Sequence, residues 1–246
     1  MPVFESPRLR LLNLTLPTPA ENLACDEALL ADCAAHGDAA LRFWESPVPC
    51  VVVGYANAVA REVNLAACAA AGVPVLRRCS GGGTVVLGPG CLNYSLVLPV
   101  ALAPELGTVG GTNAFILRRL AAALSARLGE EVASAGDTDL VWRGRKCSGN
   151  AQRRGRTHLL FHGTFLLGFD LGLVARCLPL PSRQPAYRAA RPHAEFLVNL
   201  PLAADTVKEA LRAAWGAELS TLPWPEEATR RLVRERYAQR AWVEAR

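Results

Sequence analysis

Short apolar segments of β-type composition are more numerous along this chain than the helices that could connect them. Parallel strands in one sheet need a long crossover, usually a helix, whereas antiparallel strands need only a tight turn. The pattern therefore predicts an α+β fold, with a mixed, largely antiparallel sheet flanked by helices. The predicted strands are residues 41–44, 50–53, 73–78, 91–98, 140–142, 146–150 and 159–167. The predicted helices are residues 21–30, 64–71, 112–128, 170–178, 204–217 and 225–243.

Composition restricts the class of protein. The chain has 246 residues, of which 51% are hydrophobic and 20% are charged, as is usual in folded globular proteins. We expect a single domain over residues 1–246, with a helical C-terminal segment over about 204–246. The sequence has neither an apolar run of membrane-spanning length nor a secretory signal, so we expect a cytoplasmic protein that does not enter a membrane. The eight cysteines lack metal-ligand spacing, so we expect buried thiols and no structural metal site.

The cations of this chain are almost all arginines. Of 27 lysines and arginines, only Lys146 and Lys208 are lysines, and the net charge is +5. An ammonium is a compact point charge and a guanidinium a planar fork, so a lysine retained in such a chain indicates a position where the shape of the cation matters. Lys146 lies in a basic segment, residues 143–156, that is either a solvated hairpin or a nucleic-acid patch. No aromatic residues interleave with these cations, which disfavours nucleic-acid binding.

A run of three glycines, Gly81–Gly83, separates two predicted strands and follows Arg77 and Arg78. Glycines cost backbone entropy, so such a run indicates a sharp turn or a close approach to another group. Its amides could bind an oxyanion or a phosphate, or the run could be a tight hairpin connection. It matches neither the phosphate-loop pattern nor the dinucleotide-binding pattern. From spacing alone both interpretations stay open.

Two further residues are ambiguous. His162 stands in the apolar segment 159–167, where a histidine is more often a core residue than a catalytic one. No Ser-His-Asp order or nucleophile elbow is visible, which disfavours serine-hydrolase chemistry. Cys147 follows Lys146 directly, and strand alternation predicts that the two side chains point to opposite faces.

Four segments stand in a specific order over about residues 20–200. Residues 22–29 read Asn-Leu-Ala-Cys-Asp-Glu-Ala-Leu, and residues 77–93 read Arg-Arg-Cys-Ser-Gly-Gly-Gly-Thr-Val-Val-Leu-Gly-Pro-Gly-Cys-Leu-Asn. Residues 139–141 read Asp-Leu-Val, followed at 144–151 by Gly-Arg-Lys-Cys-Ser-Gly-Asn-Ala, and residues 162–166 read His-Gly-Thr-Phe-Leu. Together these segments resemble the lipoate–protein ligase family, within the larger group of biotin and lipoate protein ligases.

The resemblance implies a fold of mixed β-sheet flanked by helices and a two-step reaction. Lipoate and ATP would form lipoyl-AMP and pyrophosphate, and a lysine of an acceptor lipoyl domain would then displace AMP. Mg²⁺ is implied by the pyrophosphate leaving group. The implied acceptors are lipoyl domains of the 2-oxoacid dehydrogenase E2 type or the glycine-cleavage H-protein type. A separate accessory protein is implied if adenylation needs the C-terminal module that many bacterial members carry.

The resemblance also implies the site residues. Lys146 would be catalytic, with its ammonium between the acyl carboxylate and the α-phosphate. Arg78 and the backbone of residues 83–86 would hold the adenylate, and Asp139 would place the adenylate or its metal. The full set of implied substrate- and ATP-binding residues is Arg78, Gly82, Gly83, Thr84, Val85, Val86, Asn93, Asp139, Lys146, Ser148, Gly149, His162 and Gly163.

The chain departs from the family pattern at Leu87, where the family has histidine, and at Cys91, where it has asparagine. Three alternatives stay open. A related octanoyl- or lipoyltransferase would form a thioester on a cysteine. One subgroup has that cysteine just before the Asp-Leu-Val strand, where residues 134–138 of this chain contain none. Cys91 and Cys147 lie inside the motifs and keep this alternative open. A non-catalytic lipoyl- or nucleotide-binding module is disfavoured by Lys146, and a biotin ligase by the sequence around that lysine.

Overall fold

The computed structural model describes residues 9–219 and 223–245. Its strands are β1 (Leu9–Asn13), β2 (Ala39–Glu45), β3 (Cys50–Val53), β4 (Val75–Arg77), β5 (Val85–Leu87), β6 (Cys91–Pro99), β7 (Val132–Ala135), β8 (Asp139–Trp142), β9 (Arg145–Arg154), β10 (His158–Leu166) and β11 (Ala217–Leu219). Its α-helices are α1 (Pro19–His36), α2 (Val59–Glu62), α3 (Leu65–Ala70), α4 (Val109–Leu128), α5 (Leu171–Cys177), α6 (His193–Phe196), α7 (Ala204–Trp215), α8 (Glu226–Leu232) and α9 (Arg240–Val243).

Two sheets organise these elements. The larger has eight strands in the order β11-β1-β2-β6-β10-β9-β8-β7, and the smaller has the order β4-β3-β5. In the large sheet every pair from β2 to β7 is antiparallel, whereas β1 pairs in parallel with both β2 and β11. The predicted mixed, largely antiparallel α+β architecture is confirmed. Strands β1, β5, β7 and β11 were not among the predicted strands.

Helix α1 begins where local sequence chemistry predicts a helix start. Thr18 accepts a hydrogen bond from the Glu21 amide, and the Glu21 carboxylate binds the Thr18 amide, which together form a capping box. Pro19 fits the first turn because its missing N–H has no partner there in any helix. The helix ends at Gly37, which adopts the left-handed conformation with φ of 77°.

The large sheet is covered by helices on both faces. One face packs against α4 and α7, through Phe115, Ile116 and Leu120 of α4 and Leu211 of α7 among others. The other face packs against α1, where Cys25 and Leu29 contact Leu160 and Val97 of the sheet. Because side chains alternate along a strand, neighbouring residues of β10 serve different layers. Leu159 and Phe161 lie on the α4 face, and Leu160 and His162 lie on the α1 face.

The C-terminal region differs from the single predicted helix over 225–243. Helix α8 passes into a π-type turn at Val233–Tyr237, and α9 starts after a break at Gln239. No helix within residues 9–219 and 223–245 is both long and apolar enough to cross a membrane.

Candidate functional site

Polar side chains form two rows on the α1 face of the large sheet. In the first row Arg42 of β2, Ser95 of β6 and His162 of β10 are direct cross-strand neighbours. The second row, one step further along the strands, holds Trp44, Asn93 and Thr164. A sheet face buried under a helix is normally apolar, and burying polar groups costs free energy. These rows therefore mark a candidate functional surface.

Asn93 has an open donor in this row. Its side-chain oxygen accepts a 2.6 Å hydrogen bond from the Thr164 hydroxyl, but its Nδ2 has no partner among the residues that the structure describes. Trp44, directly opposite on β2, also has a buried indole N–H without such a partner. Buried donors left without a protein acceptor are expensive, which suits a surface that receives the acceptor groups of a ligand. Thr164 and Trp44 were not among the predicted site residues.

A β-bulge sets the direction of Lys146. Asp139 pairs with Gly149 and Leu140 with Ser148, but Val141 pairs with Lys146, so Cys147 is the extra residue. The bulge places Cys147 in the α4 core while Lys146 lies on the same face as Gly149. The prediction that Lys146 and Cys147 point to opposite sides is therefore confirmed.

Asp139 and Lys146 form an ion pair at this face. Lys146 Nζ lies 2.7 Å from Asp139 Oδ1, and the Tyr187 hydroxyl donates to Asp139 Oδ2 at 2.7 Å. Burial and the neighbouring Asp139 carboxylate raise the pKa of Tyr187, which keeps the phenol protonated as the donor. Tyr187 comes from a short 3₁₀ segment with no local sequence signal, so sequence reasoning missed it.

Gly149 provides the space in which Lys146 lies. A Cβ atom at Gly149 would stand 2.8 Å from Lys146 Nζ and 2.9 Å from its Cε, closer than such atoms approach each other in proteins. The missing side chain at Gly149 leaves the space in which the ammonium crosses the strand to Asp139, and a larger residue there would displace the end of the lysine. The predicted group Asp139, Lys146 and Gly149 is brought together.

The glycine loop is held from behind by Arg78. This buried guanidinium donates through Nη2 to the carbonyls of Gly81 at 2.6 Å and Gly83 at 2.7 Å. Its Nε donates to Ser80 Oγ at 3.0 Å. Burial lowers the pKa of Arg78 to about 10, so the side chain stays charged at neutral pH. Arg78 therefore organises the loop, and its predicted contact with an adenylate stays a prediction.

The third glycine carbonyl has a different partner. Asn57 Nδ2 donates to Gly82 O at 3.1 Å and lies 3.5 Å from the Thr84 hydroxyl. Gly82 has a φ of 84°, and its carbonyl passes so close to Gly54 that a Cβ on Gly54 would overlap it. Asn57 had no signal in the sequence. All three loop carbonyls thus bind side chains, while Gly81–Gly83 themselves are exposed.

The strand after the loop places its predicted residues in two settings. Val85 is half-buried, and Val86 is buried in the core between the small sheet and α5. Leu87, which departs from the family pattern, packs with Trp44, Val52 and Tyr237 in an apolar cluster. A leucine is compatible with that position for packing reasons alone.

Two predicted residues lie away from Lys146. Ser148 is buried, and its hydroxyl donates to Asn150 Oδ1 at 3.4 Å, where the Tyr94 hydroxyl also binds at 2.7 Å. A Cβ on Gly163 would overlap that same Asn150 oxygen, so the absence of a side chain at Gly163 leaves the space that the Asn150 side chain occupies. The structure thus places Ser148 and Gly163 in a buried network around Asn150 and does not bring them to the ion pair.

His162, by contrast, contacts the segment that leads into the glycine loop. Its Nε2 lies 2.5 Å from Ser80 Oγ, and its Nδ1 lies 3.5 Å from Asp26 Oδ2. The histidine is 9% exposed. It stands two residues from Thr164, which pairs with Asn93, so it lies on the sheet face that carries Asn93.

All eight cysteines are buried as free thiols. Burial raises the pKa of the Cys91 and Cys147 thiols to about 12 each, and that of Cys79 to about 11. A thiol with a raised pKa and no exposure is a poor nucleophile at neutral pH. Within the described ranges no group of three or more metal-binding side chains is present.

Comparison with known proteins agrees with these motifs. The family model described as the lipoyl protein ligase A/B catalytic domain matches residues 18–213. A relative from Aeropyrum pernix named "Putative lipoate-protein ligase A" is 37% identical over 166 residues, 68% of this chain and 60% of the relative. Octanoyltransferase LipM of Carboxydothermus hydrogenoformans is 32% identical over 255 residues, 91% of this chain and 94% of the relative.

A solved structure agrees in fold. The bi-partite lipoate protein ligase of Thermoplasma acidophilum, described together with its E2 lipoyl domain, superposes with a TM-score of 0.82 at 22% identity. The match covers 96% of each chain. With the family model spanning most of the chain and the Lys146 and glycine-loop motifs in their expected order, the chain belongs to the lipoyl protein ligase A/B catalytic-domain family of ligases and acyltransferases.

Proposed function

We propose that this chain is an ATP-dependent lipoate–protein ligase. In the first step a carboxylate oxygen of lipoate attacks the α-phosphorus of ATP, and the bond to pyrophosphate breaks. In the second step a lysine amine of a lipoyl domain attacks the carbonyl carbon of lipoyl-AMP, and AMP leaves with the bonding electrons. The amine loses its proton to form the amide.

The observation that carries this proposal is the Lys146 ammonium combined with the burial of every thiol. Displacement at phosphorus increases negative charge on the phosphoryl oxygens, and a fixed cation aimed at that charge is the main catalytic device a protein can supply. Lys146 is 23% exposed in its side chain and stands at the edge of the polar rows, held by Asp139. The compact ammonium lies beside Gly149, and a broad, planar guanidinium would not match that position.

The glycine loop supports the same chemistry. Arg78 and Asn57 bind all three glycine carbonyls from the protein side, so the backbone N–H groups of the exposed loop are the groups left to bind an anion. The loop would receive the phosphate of the adenylate there, and the Asn93 Nδ2 donor would bind an acceptor of the substrate.

The residues at this site could contribute one carboxylate to a Mg²⁺ ion that is otherwise bound by phosphates and water. Mg²⁺ in nucleotide sites usually binds one or two carboxylates, with phosphates and water filling its other positions. Asp139 is the carboxylate beside Lys146, and it would supply one oxygen to Mg²⁺ bound by the ATP phosphates. The ion would neutralise charge on the departing pyrophosphate.

The second candidate is an octanoyltransferase that takes its acyl group from a carrier-protein thioester. It is favoured by the relatives named LipM, which match nearly the full length of this chain. It is disfavoured by the buried thiols and by residues 134–138, which contain no cysteine. For either reaction the acceptor would be a lipoyl domain, as in the Thermoplasma acidophilum system.

The deciding experiment measures the mass of an apo lipoyl domain after incubation with the purified chain. One arm contains ATP, Mg²⁺ and lipoate or octanoate, and the other contains octanoyl-carrier protein without ATP. A ligase adds the acyl mass only in the first arm. A mass gain only in the second arm would refute the ligase, and adenylate formation without transfer would indicate that a separate accessory protein is needed.

A further inference from the structure

His162 is held between two buried side chains that come from distant parts of the chain. Ser80 Oγ lies 2.5 Å from Nε2, and Asp26 Oδ2 lies 3.5 Å from Nδ1. Ser80 and Asp26 are each only 1% exposed. Asp26 of α1, His162 of β10 and Ser80, which precedes the glycine loop, thus stand in a row across the α1 face of the sheet. Both ring nitrogens of the histidine are therefore directed at protein groups.

Asp26 is a carboxylate in this row. Arg42 Nη1 donates to its Oδ1 at 2.6 Å, and the other donors of Arg42 bind Asn22 and the Leu14 carbonyl. Burial alone raises the pKa of Asp26, but Arg42, then His162 and Ser95, outweigh it, so the pKa is lowered. The negative charge therefore persists at neutral pH. Asp26 Oδ2 makes no hydrogen bond with the residues that the structure describes, and His162 Nδ1 lies 3.5 Å from it, so a hydrogen on Nδ1 is directed at an acceptor that lacks a donor.

This charge selects where the imidazole carries its hydrogen. A carboxylate can only accept hydrogen bonds, so it favours a hydrogen on Nδ1, and Nε2 of a neutral ring then accepts from the Ser80 hydroxyl. Ser80 Oγ in turn accepts the Nε–H of Arg78 at 3.0 Å, and Arg78 holds the carbonyls of the glycine loop. With the hydrogen on Nε2 instead, Ser80 would have to turn its own hydrogen away from His162, toward a side where Arg78 cannot accept it.

We propose that Asp26 is a positioning residue for adenylate formation. Its carboxylate fixes the Nδ1–H tautomer of His162, and the tautomer fixes the Ser80 hydroxyl, which orients Arg78 and hence the glycine loop. The role in adenylation rests on the proposed ligase function. The tautomer itself does not, because it follows from the contacts among these buried groups.

Nitrogen-15 NMR of protein labelled in histidine tests the tautomer. The chain has four histidines, so the His162 signals can be assigned by comparison with His162→Gln. The wild type should show Nδ1 as the protonated nitrogen at neutral pH. In Asp26→Asn, Arg42 should keep the amide oxygen, the Nδ2 donor should face His162, and the hydrogen should move to Nε2.

The same variant should slow ATP–pyrophosphate exchange about tenfold or more, the usual scale for losing a group that orients a site residue. Asp32→Asn is the matched control. Asp32 lies on the same helix, but its carboxylate binds Arg10 at a distance of 2.6 Å and does not contact His162. It should change neither the tautomer nor the rate. Since Asp26→Asn breaks a buried ion pair, Ser80→Ala provides a second test and should slow the exchange by a similar factor.

An Nε2–H tautomer in the wild type would overturn the proposal. So would an Asp26→Asn protein that shows the changed tautomer at an unchanged exchange rate, or a folded Ser80→Ala protein of full activity. The two proposals fail separately. An enzyme without ATP-dependent activity contradicts the ligase function, whereas the wrong tautomer in an active ligase contradicts only the role of Asp26.

Discussion

At the scale of the single residue, substitutions of Lys146 test whether the basic segment of residues 143–156 carries a catalytic ammonium or is only a solvated hairpin or a nucleic-acid patch. Lys146→Ala should lose about 3 kcal/mol of transition-state stabilisation, about a hundredfold in the rate of adenylate formation. Lys146→Arg should restore little of this rate, because a planar guanidinium cannot take the place of a compact ammonium between two anionic groups. Lys208→Arg is the control, since the only other lysine forms surface ion pairs with Glu45 and Asp205. Full activity in Lys146→Arg would refute the role assigned to this ammonium.

Gly83 tests whether the glycine loop approaches the ligand. A Cβ at this position would meet no atom within 4 Å, so Gly83→Val should fold normally. Its side chain should fill the space expected for the adenylate and abolish ATP–pyrophosphate exchange. Gly168→Val, at an exposed glycine with equally open surroundings, should retain the exchange. If the folded Gly83→Val protein exchanges at the wild-type rate, the loop is only a hairpin connection.

At the scale of the element, the C-terminal segment of residues 223–245 is fastened to the site region at two points. The Arg77 guanidinium donates to the carbonyls of Trp242 and Val243 and also to those of Gly54 and Asn57. A second anchor joins Arg236 and Tyr237 to the Glu27 carboxylate. Since Asn57 holds the glycine loop, the segment supports that loop indirectly.

The second anchor predicts a stability effect. Tyr237→Phe removes the 2.7 Å hydrogen bond to Glu27, and the tyrosine is 1% exposed. A buried hydrogen bond to a charged group contributes about 1.5–3 kcal/mol, so urea unfolding should show a loss of this size in the free energy of unfolding. Arg240→Gln, which removes an exposed ion pair of the same segment, should cost little. Equal stabilities in both variants would contradict the anchoring role.

At the scale of the whole molecule, the burial of every thiol provides a test that distinguishes the proposed ligase from the transferase alternative. Because burial raises the pKa of Cys91 and Cys147 to about 12, both are neutral thiols at pH 8 and should resist iodoacetamide in the folded protein. Cys91→Ser and Cys147→Ser should retain substantial ATP-dependent ligation, since that reaction forms no thioester. Loss of all transfer in either folded variant would support the transferase.

Much of the fold follows from local sequence signals. Alternating and apolar β-type segments located most strands of both sheets, and the capping residues around Thr18 and Gly37 explain the limits of α1. The parallel strands β1 and β11 were not predicted. They are short, and only pairing with distant segments makes them strands. The division of the C-terminal region into α8, a π-type turn and α9 likewise has no strong local signal.

The sequence by itself determined which residue types are present and in what order: the glycine run after two arginines, the lysine in an arginine-rich chain, and the family they indicate. Tertiary structure decided which of them meet. The bulge at Cys147 turns Lys146 toward Asp139, since one extra residue reverses the strand alternation. Helix packing and strand register likewise bring His162 to Asp26 and to Ser80, although 82 residues or more separate the histidine from each of them. Such contacts depend on strand register and helix packing, which are set by long-range burial and leave no local trace in the sequence.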